Sequence, residues 1–254
     1  MNARPEMPKA AALRLARSVI AQGYVLAALH AYRDAAGEPV YYRIRCTHPD
    51  REKWVRPMRH NGTAFVIGEP APAAAGKPLY RLPEVIASAP DGLVYVVEGE
   101  TCADAFAALG IVATTTGGAG TADAADWSPL AGRRVVIWPD NDTAGTTYAA
   151  AVTARLRGIA ASVEWIDRAP LALPEHGDFV DWLARHSEAT ADDVHALARK
   201  SAPDPSPPPT SPATGARVIL QRACDVQPQP VDWLWPGWLA AGKLHLIGGA
   251  PGTG

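Results

Sequence analysis

Two short apolar runs constrain this chain more than any other feature. Leu93-Val94-Tyr95-Val96-Val97 and Arg134-Val135-Val136-Ile137-Trp138 are β-branched, nearly uncharged and do not alternate with polar residues. A strand with one wet face would alternate, so each run is predicted to be a parallel strand covered on both sides. Between them Thr101 to Leu109 reads as a helix with Thr101 at its N-cap. Ile111 to Thr115 reads as another strand, and Gly117-Gly118-Ala119-Gly120 as a tight loop. Further on, Thr143 to Arg157 is predicted helical, Ala161 to Ile166 a strand, and Phe179 to His186 and Thr190 to Lys200 helices. This rhythm predicts an α/β fold, a doubly wound and mainly parallel sheet.

In such sheets the working residues sit just beyond the carboxyl ends of the strands. Glu98 follows the first run, and Asp140 and Asp142 follow the second. Carboxylates gathered at one sheet edge repel, by roughly 4 kcal/mol per pair at about 4 Å in an intermediate dielectric. A hard divalent cation, Mg²⁺ or Mn²⁺, suits an all-oxygen set and takes its remaining ligands from water and substrate phosphates. The chemistry implied is metal-assisted phosphoryl transfer on a nucleotide or nucleic acid. Asp-x-Asp after a strand also fits a helix N-cap and a turn without chemistry. Gly117 and Gly118 would let backbone amides approach a phosphate, or would simply make a turn. His176 reads as a surface histidine.

The motifs Val97-Glu98-Gly99-Glu100, Asp104, Gly117-Gly118, Trp127 to Arg133 and Pro139-Asp140-Asn141-Asp142-Thr143-Ala144-Gly145 together resemble the Toprim domain. That domain is shared by primases, type IA and type II topoisomerases and some nucleases. The likeness runs from about Pro78 to Arg185 and is greatest to phage- and plasmid-type primase–helicases. It implies that Glu98 is the acid/base or metal-organising carboxylate and that Asp140 and Asp142 are metal ligands. Many bacterial primases carry an Asp four residues after the Glu; here that position is Cys102, and Asp104 stands two residues later. Asp104 and Asp178 are further candidate ligands, Asp178 equally well explained as a helix cap.

Net charge is only −2, but its distribution is uneven. Up to Tyr80 there are 12 Lys/Arg against 6 Asp/Glu, whereas Leu93 to Lys200 holds 8 against 15. A basic front beside an acidic cation site suits the guiding of a phosphate backbone. Residues 1–77 are expected to form a small β-rich basic α+β region: a helix over Lys9 to Gln22, then strands over Tyr24 to Tyr32 and Pro39 to Cys46. In the second strand Val40, Tyr42, Ile44 and Cys46 are predicted to face a core, with Tyr41, Arg43 and Arg45 on the other side. Arg43, Arg45, Lys53, Arg56 and Arg59, with aromatics such as Trp54 among them, are candidate contacts to single-stranded nucleic acid. A solvated basic sheet face explains them equally well.

Cys46, Cys102 and Cys224 are isolated, which excludes a zinc ribbon and a disulfide framework and fits a reducing, cytoplasmic setting. No apolar span predicts a membrane helix. Residues 78–200 are expected to be the catalytic domain and 201–216 a disordered Pro-rich linker. Residues 217–254 resemble the truncated start of a RecA-like ATPase. There Gly249, Gly252 and Gly254 would form a partial ATP-binding loop lacking its Lys-Ser/Thr. The combined expectation is a Toprim-type DNA primase, part of a primase–helicase, making primers by Mg-dependent nucleotidyl transfer. Its partners would be a single-stranded DNA template, nucleotides and a C-terminal helicase domain in a longer chain. The alternatives are a non-catalytic nucleic-acid-binding module of a replicative helicase, a haloacid-dehalogenase-type phosphatase with Asp140 as nucleophile, and a Toprim nuclease.

Overall fold

The computed structural model describes residues 6–71, 73–118, 120–198, 202–203, 233–235 and 239–240. The helix expected near the front is two pieces, Pro8–Leu15 (α1) and Arg17–Ile20 (α2). Pro8 opens α1, where its missing N–H has no intrahelical partner to lose. Four antiparallel strands follow in chain order, Val25–Arg33 (β1), Pro39–His48 (β2), Arg51–His60 (β3) and Phe65–Ile67 (β4). Ala11, Ala12 and Ala16 of the helical segment pack on Ile44, Cys46 and Met58 of this sheet.

The expected facing of β2 needs correction. Ile44 and Cys46 are buried as predicted, but Val40 is exposed and Tyr41 is buried. The reason is tertiary: the face carrying Tyr41 is also covered. Tyr41 stacks on Tyr32, with ring centroids 4.4 Å apart, and Tyr32 in turn meets Tyr80. All three belong to the core of the second sheet.

Leu82–Ala87 (α3) leads into that second sheet. Its strands are Leu93–Val97 (β5), Ala113–Thr114 (β6), Arg134–Trp138 (β7), Ser162–Trp165 (β8) and Ala202–Pro203 (β9), in the order β6-β5-β7-β8-β9. The first four pair in parallel and β9 pairs antiparallel with β8. Ala202 and Pro203 are thus an edge strand rather than linker. The period of two divides the apolar runs between two cores. Val94, Val96, Val135 and Ile137 pack against Tyr148, Val152 and Leu156 of Thr143–Leu156 (α5). Tyr95, Val97, Val136 and Trp138 pack against residues of Glu100–Ala108 (α4), Phe179–Arg185 (α6) and Ala191–Ala198 (α7). Helices on both faces explain why neither strand alternates.

Helix α4 starts at Glu100 after Gly99, with no side-chain cap, so Thr101 is an exposed first-turn residue and not the expected N-cap. The chain clusters into two compact units, Met1–Pro207 and Pro208–Gly254. In the second, Trp233–Trp235 (β10) pairs antiparallel with Leu239–Ala240 (β11). The expected linker beyond Pro203 and the glycine loop of Gly249, Gly252 and Gly254 lie outside the described residues. Among the described residues no helix is long and apolar enough to cross a membrane.

Candidate active site

Strands β5 and β7 are neighbours in register, Val97 opposite Trp138, so the residues that follow them leave the sheet at one edge. There a cleft of about 480 Å³ opens. Its acidic wall carries Glu98, Glu100, Asp140, Asp178 and Asp181, and its basic wall Arg43, Arg45, Lys53 and Arg56 from β2 and β3. The two sheets therefore meet over the carboxyl ends of the parallel strands, with opposite charge facing across the gap.

Glu98 and Asp140 bear the stress of this arrangement. Glu98 Oε2 is buried and makes no hydrogen bond. Burial raises the Glu98 pKa, the Asp142 charge raises it further, and Lys53 opposes. The Asp140 carboxyl is pushed up to about 7, first by burial and then by Glu98, Asp178 and Asp142, again with Lys53 opposing. A carboxylic acid holding its proton near neutrality is an acid site short of positive charge.

Asp142 is placed differently. Its Oδ1 accepts from the Gly145 amide (2.7 Å) as the N-cap of α5, and its Oδ2 accepts from His176 Nδ1 (2.7 Å). The Gly145 amide and then His176 hold its pKa below the usual range. Gly145 has a second reason to be glycine, since a Cβ there would press on the Asp140 backbone nitrogen at 2.7 Å. Asp142 and His176 line an adjacent opening of about 510 Å³, shared with Arg168 and Thr146. The expected trio around one ion is thus not preassembled: Glu98 and Asp140 share the cleft, while capping and His176 turn Asp142 to its neighbour.

Asp178 does reach the cleft. Its Oδ1 accepts from the amides of Val180 (2.7 Å) and Asp181 (3.1 Å), a capping box that starts α6. Burial raises the pKa of the Cys102 thiol well above its ordinary value, and the Asp178 charge raises it further. Asp104 does not reach it. Arg81 Nη1 (3.0 Å) and the Tyr80 hydroxyl (2.9 Å) donate to Asp104, and His30 Nδ1 lies 3.2 Å away. Burial would raise the Asp104 pKa, but bonds from His30, Tyr80 and Arg81 outweigh it and hold the carboxyl low. Its expected role as a ligand gives way to one of joining β1, Tyr80 and α4.

Among the basic residues, Arg43 is committed internally, pairing with Glu100 Oε1 at 3.0 Å and donating to the Gly117 carbonyl. The Tyr32 hydroxyl donates to the same Glu100 oxygen (2.8 Å). Arg45, Lys53 and Arg56 line the cleft, and Arg59 does not. The phosphate-loop expectation also changes. The Gly117 amide already donates to Thr115 Oγ1 (3.0 Å), and its positive φ of 95° and the space taken by Arg43 explain the glycine. Gly118 lines the cleft. The sequence offered Asp181 together with Asp178 as a late acidic contact, and both line the cleft; it read His176 only as a surface histidine and gave Glu100 no role of its own. The Asp178-x-x-Asp181 spacing was a readable capping signal, whereas nothing local marked His176.

The cleft carboxylates suit a hard cation, with one buried oxygen orphaned and one carboxyl driven to hold a proton. Among the described residues no group of three or more His, Cys, Asp or Glu forms a ready metal cage. What fits is a sparse site with few protein ligands, the manner in which Mg²⁺ is commonly held alongside substrate phosphates.

No protein-family model and no curated protein matches the sequence. Among solved structures, the chain is similar to the DnaG catalytic core, at 20% identity and a TM-score of 0.45 over 69% of this chain and 53% of that one. It is similar to a DNA primase domain from Pseudomonas aeruginosa, at 20% identity and 0.47 over 69% and 51%. It is also similar to the primase fragment of the bacteriophage T7 primase-helicase protein, at 15% identity and 0.40 over 67% and 62%. All three are primase structures. This chain spans about half the length of the first two.

Proposed function

We propose that the cleft carries out divalent-metal-dependent nucleotidyl transfer on a single-stranded DNA template, as a Toprim-type primase does. The observation that carries the reading is the facing of two walls: Glu98, Asp140 and Asp178 beyond β5 and β7, and Arg45, Lys53 and Arg56 across from them. Glu98 and Asp140 would hold the Mg²⁺ or Mn²⁺, with Asp178 beside them and Asp142 acting through its field. A cation held there would supply charge neutralisation for an incoming triphosphate, with Asp140 binding it as the carboxylate. Arg45, Lys53 and Arg56 bind the phosphates of template and nucleotide and hold them against the acidic edge. Glu98, whose Oε2 is buried without a hydrogen-bond partner, would accept a proton from an attacking hydroxyl or orient the cation.

The test is oligoribonucleotide synthesis on single-stranded DNA with Mg²⁺ or Mn²⁺. Asp140→Ala should lower product at least 100-fold; equal product from both proteins would dismiss the site. A second reading is a module that grips nucleic acid for a helicase domain without synthesis, favoured by the basic side chains of Arg45, Lys53 and Arg56 on the cleft. Binding of single-stranded DNA unaffected by EDTA, with no product and no cut DNA, would select it.

A further inference from the structure

Asp140 and Asp178 reach the cleft from segments far apart in sequence, and one side chain between them ties those segments together. The Asn141 Nδ2 amide donates to the carbonyls of Leu173 and Pro174, each at 2.9 Å. The Asn141 backbone N–H donates to the Gly177 carbonyl (2.8 Å), and its own carbonyl accepts from the His176 N–H (3.2 Å). Four hydrogen bonds thus bind the turn bearing Asp140 to the loop 173–177, and Asp178 is the next residue. Gly177 closes the fit, because a Cβ there would meet Pro174 Cδ at 2.7 Å. On the other side Arg168 Nη1 donates to the Asp140 carbonyl (2.7 Å) while its Nη2 donates to Thr146 Oγ1 (3.0 Å), fixing the turn to α5.

We propose that Asn141 is a positioning residue that sets Asp178 against Asp140 and thereby sets the cation affinity of the cleft. The inference rests on the cleft being a cation site, as proposed above. Asn141 itself points away from the cleft, to the carbonyls of Leu173 and Pro174, so it acts only through the two carboxylates it spaces. Partners outside the ligand set that orient ligands in this way commonly change metal affinity by 10–100-fold when removed.

The experiment is Mn²⁺ binding to the full chain, followed by the electron paramagnetic resonance of free Mn²⁺, in a double-mutant cycle. Asn141→Ala should weaken Mn²⁺ binding at least about 10-fold. In an Asp178→Asn background the same substitution should have a clearly smaller further effect, because there is no longer an Asp178 carboxylate to be set against Asp140. Gly177→Ala, which displaces the same loop by a different contact, should reproduce the Asn141→Ala loss. A merely structural role would instead lower thermal stability in both backgrounds alike, with equal fold-losses of Mn²⁺ affinity; that additivity would overturn the proposal. Unchanged affinity in Asn141→Ala would overturn it too, leaving the cation site standing. Absence of Mn²⁺ binding by the wild type would overturn both this inference and the reading beneath it.

Discussion

Asp140 makes the sharpest prediction at the scale of single residues. Its folded pKa of about 7 stands above the ordinary carboxyl value of about 4, so the folded chain holds a proton that the unfolded chain releases. The stability from that proton is complete below about pH 4 and is lost as pH rises through about 7. Without divalent cation, Asp140→Asn should therefore match the wild type near pH 4 and exceed it above pH 7. The gain is about 1–2 kcal/mol, less than the shift alone would give because solvent screens the partly exposed group. Urea titrations in EDTA at both ends of the range would measure it. A wild type that gains stability over the variant with rising pH would show the charge to be already compensated. Single residues were also where sequence reading failed most often. Glu98 and Asp140 could be read because each follows an apolar run. Glu100, Asn141 and His176 could not, because their partners, Arg43, Leu173 with Pro174, and Asp142, lie 32 or more positions away or in the folded loop alone.

Strands β2 and β3 show the same contrast at the scale of elements. The existence of β2 was legible from the alternation over Pro39 to Cys46 and from the turn at Asp34 to Gly37, where Asp34 Oδ1 accepts from the amides of Ala36 and Glu38; β3 was legible only as a basic segment with aromatics. Which face of β2 was buried was not legible, since both are: one by α1, the other by the Tyr32–Tyr41–Tyr80 stack. The basic face that remains in the cleft predicts behaviour with salt. Arg45→Ala and Lys53→Ala should each weaken single-stranded DNA binding to a similar degree across sequences. Each should also reduce the magnitude of the slope of log K against log salt by about 0.7. Arg43→Ala should instead act mainly on stability, its guanidinium being bound to Glu100 and Gly117. Affinity measured from 50 mM to 300 mM salt separates the two effects. A slope unaltered by both Arg45→Ala and Lys53→Ala would remove the hairpin from the nucleic-acid path. Strands β5 and β7 were the most legible elements because burial on both faces leaves a pattern no amphipathic element shares.

For the whole molecule, the feature with the widest reach is the seam where Arg43, Glu100, Tyr32 and Gly117 meet. Arg43 and Glu100 are both largely withdrawn from water, so removing one leaves the other's charge uncompensated. Glu100→Ala should cost about 3 kcal/mol, and the front sheet and the parallel sheet should still melt together, because they share one set of packed tyrosines. Separate melting of those two sheets in the wild type would contradict that shared core. A polypeptide started at Pro78 would keep its strands yet present bare aromatic rings and a stranded acid to solvent, and it should clump rather than stay monodisperse. The acid-bearing sheet and its basic cover are in this respect a single hand: the palm and the fingers cannot be studied apart and still be expected to grasp.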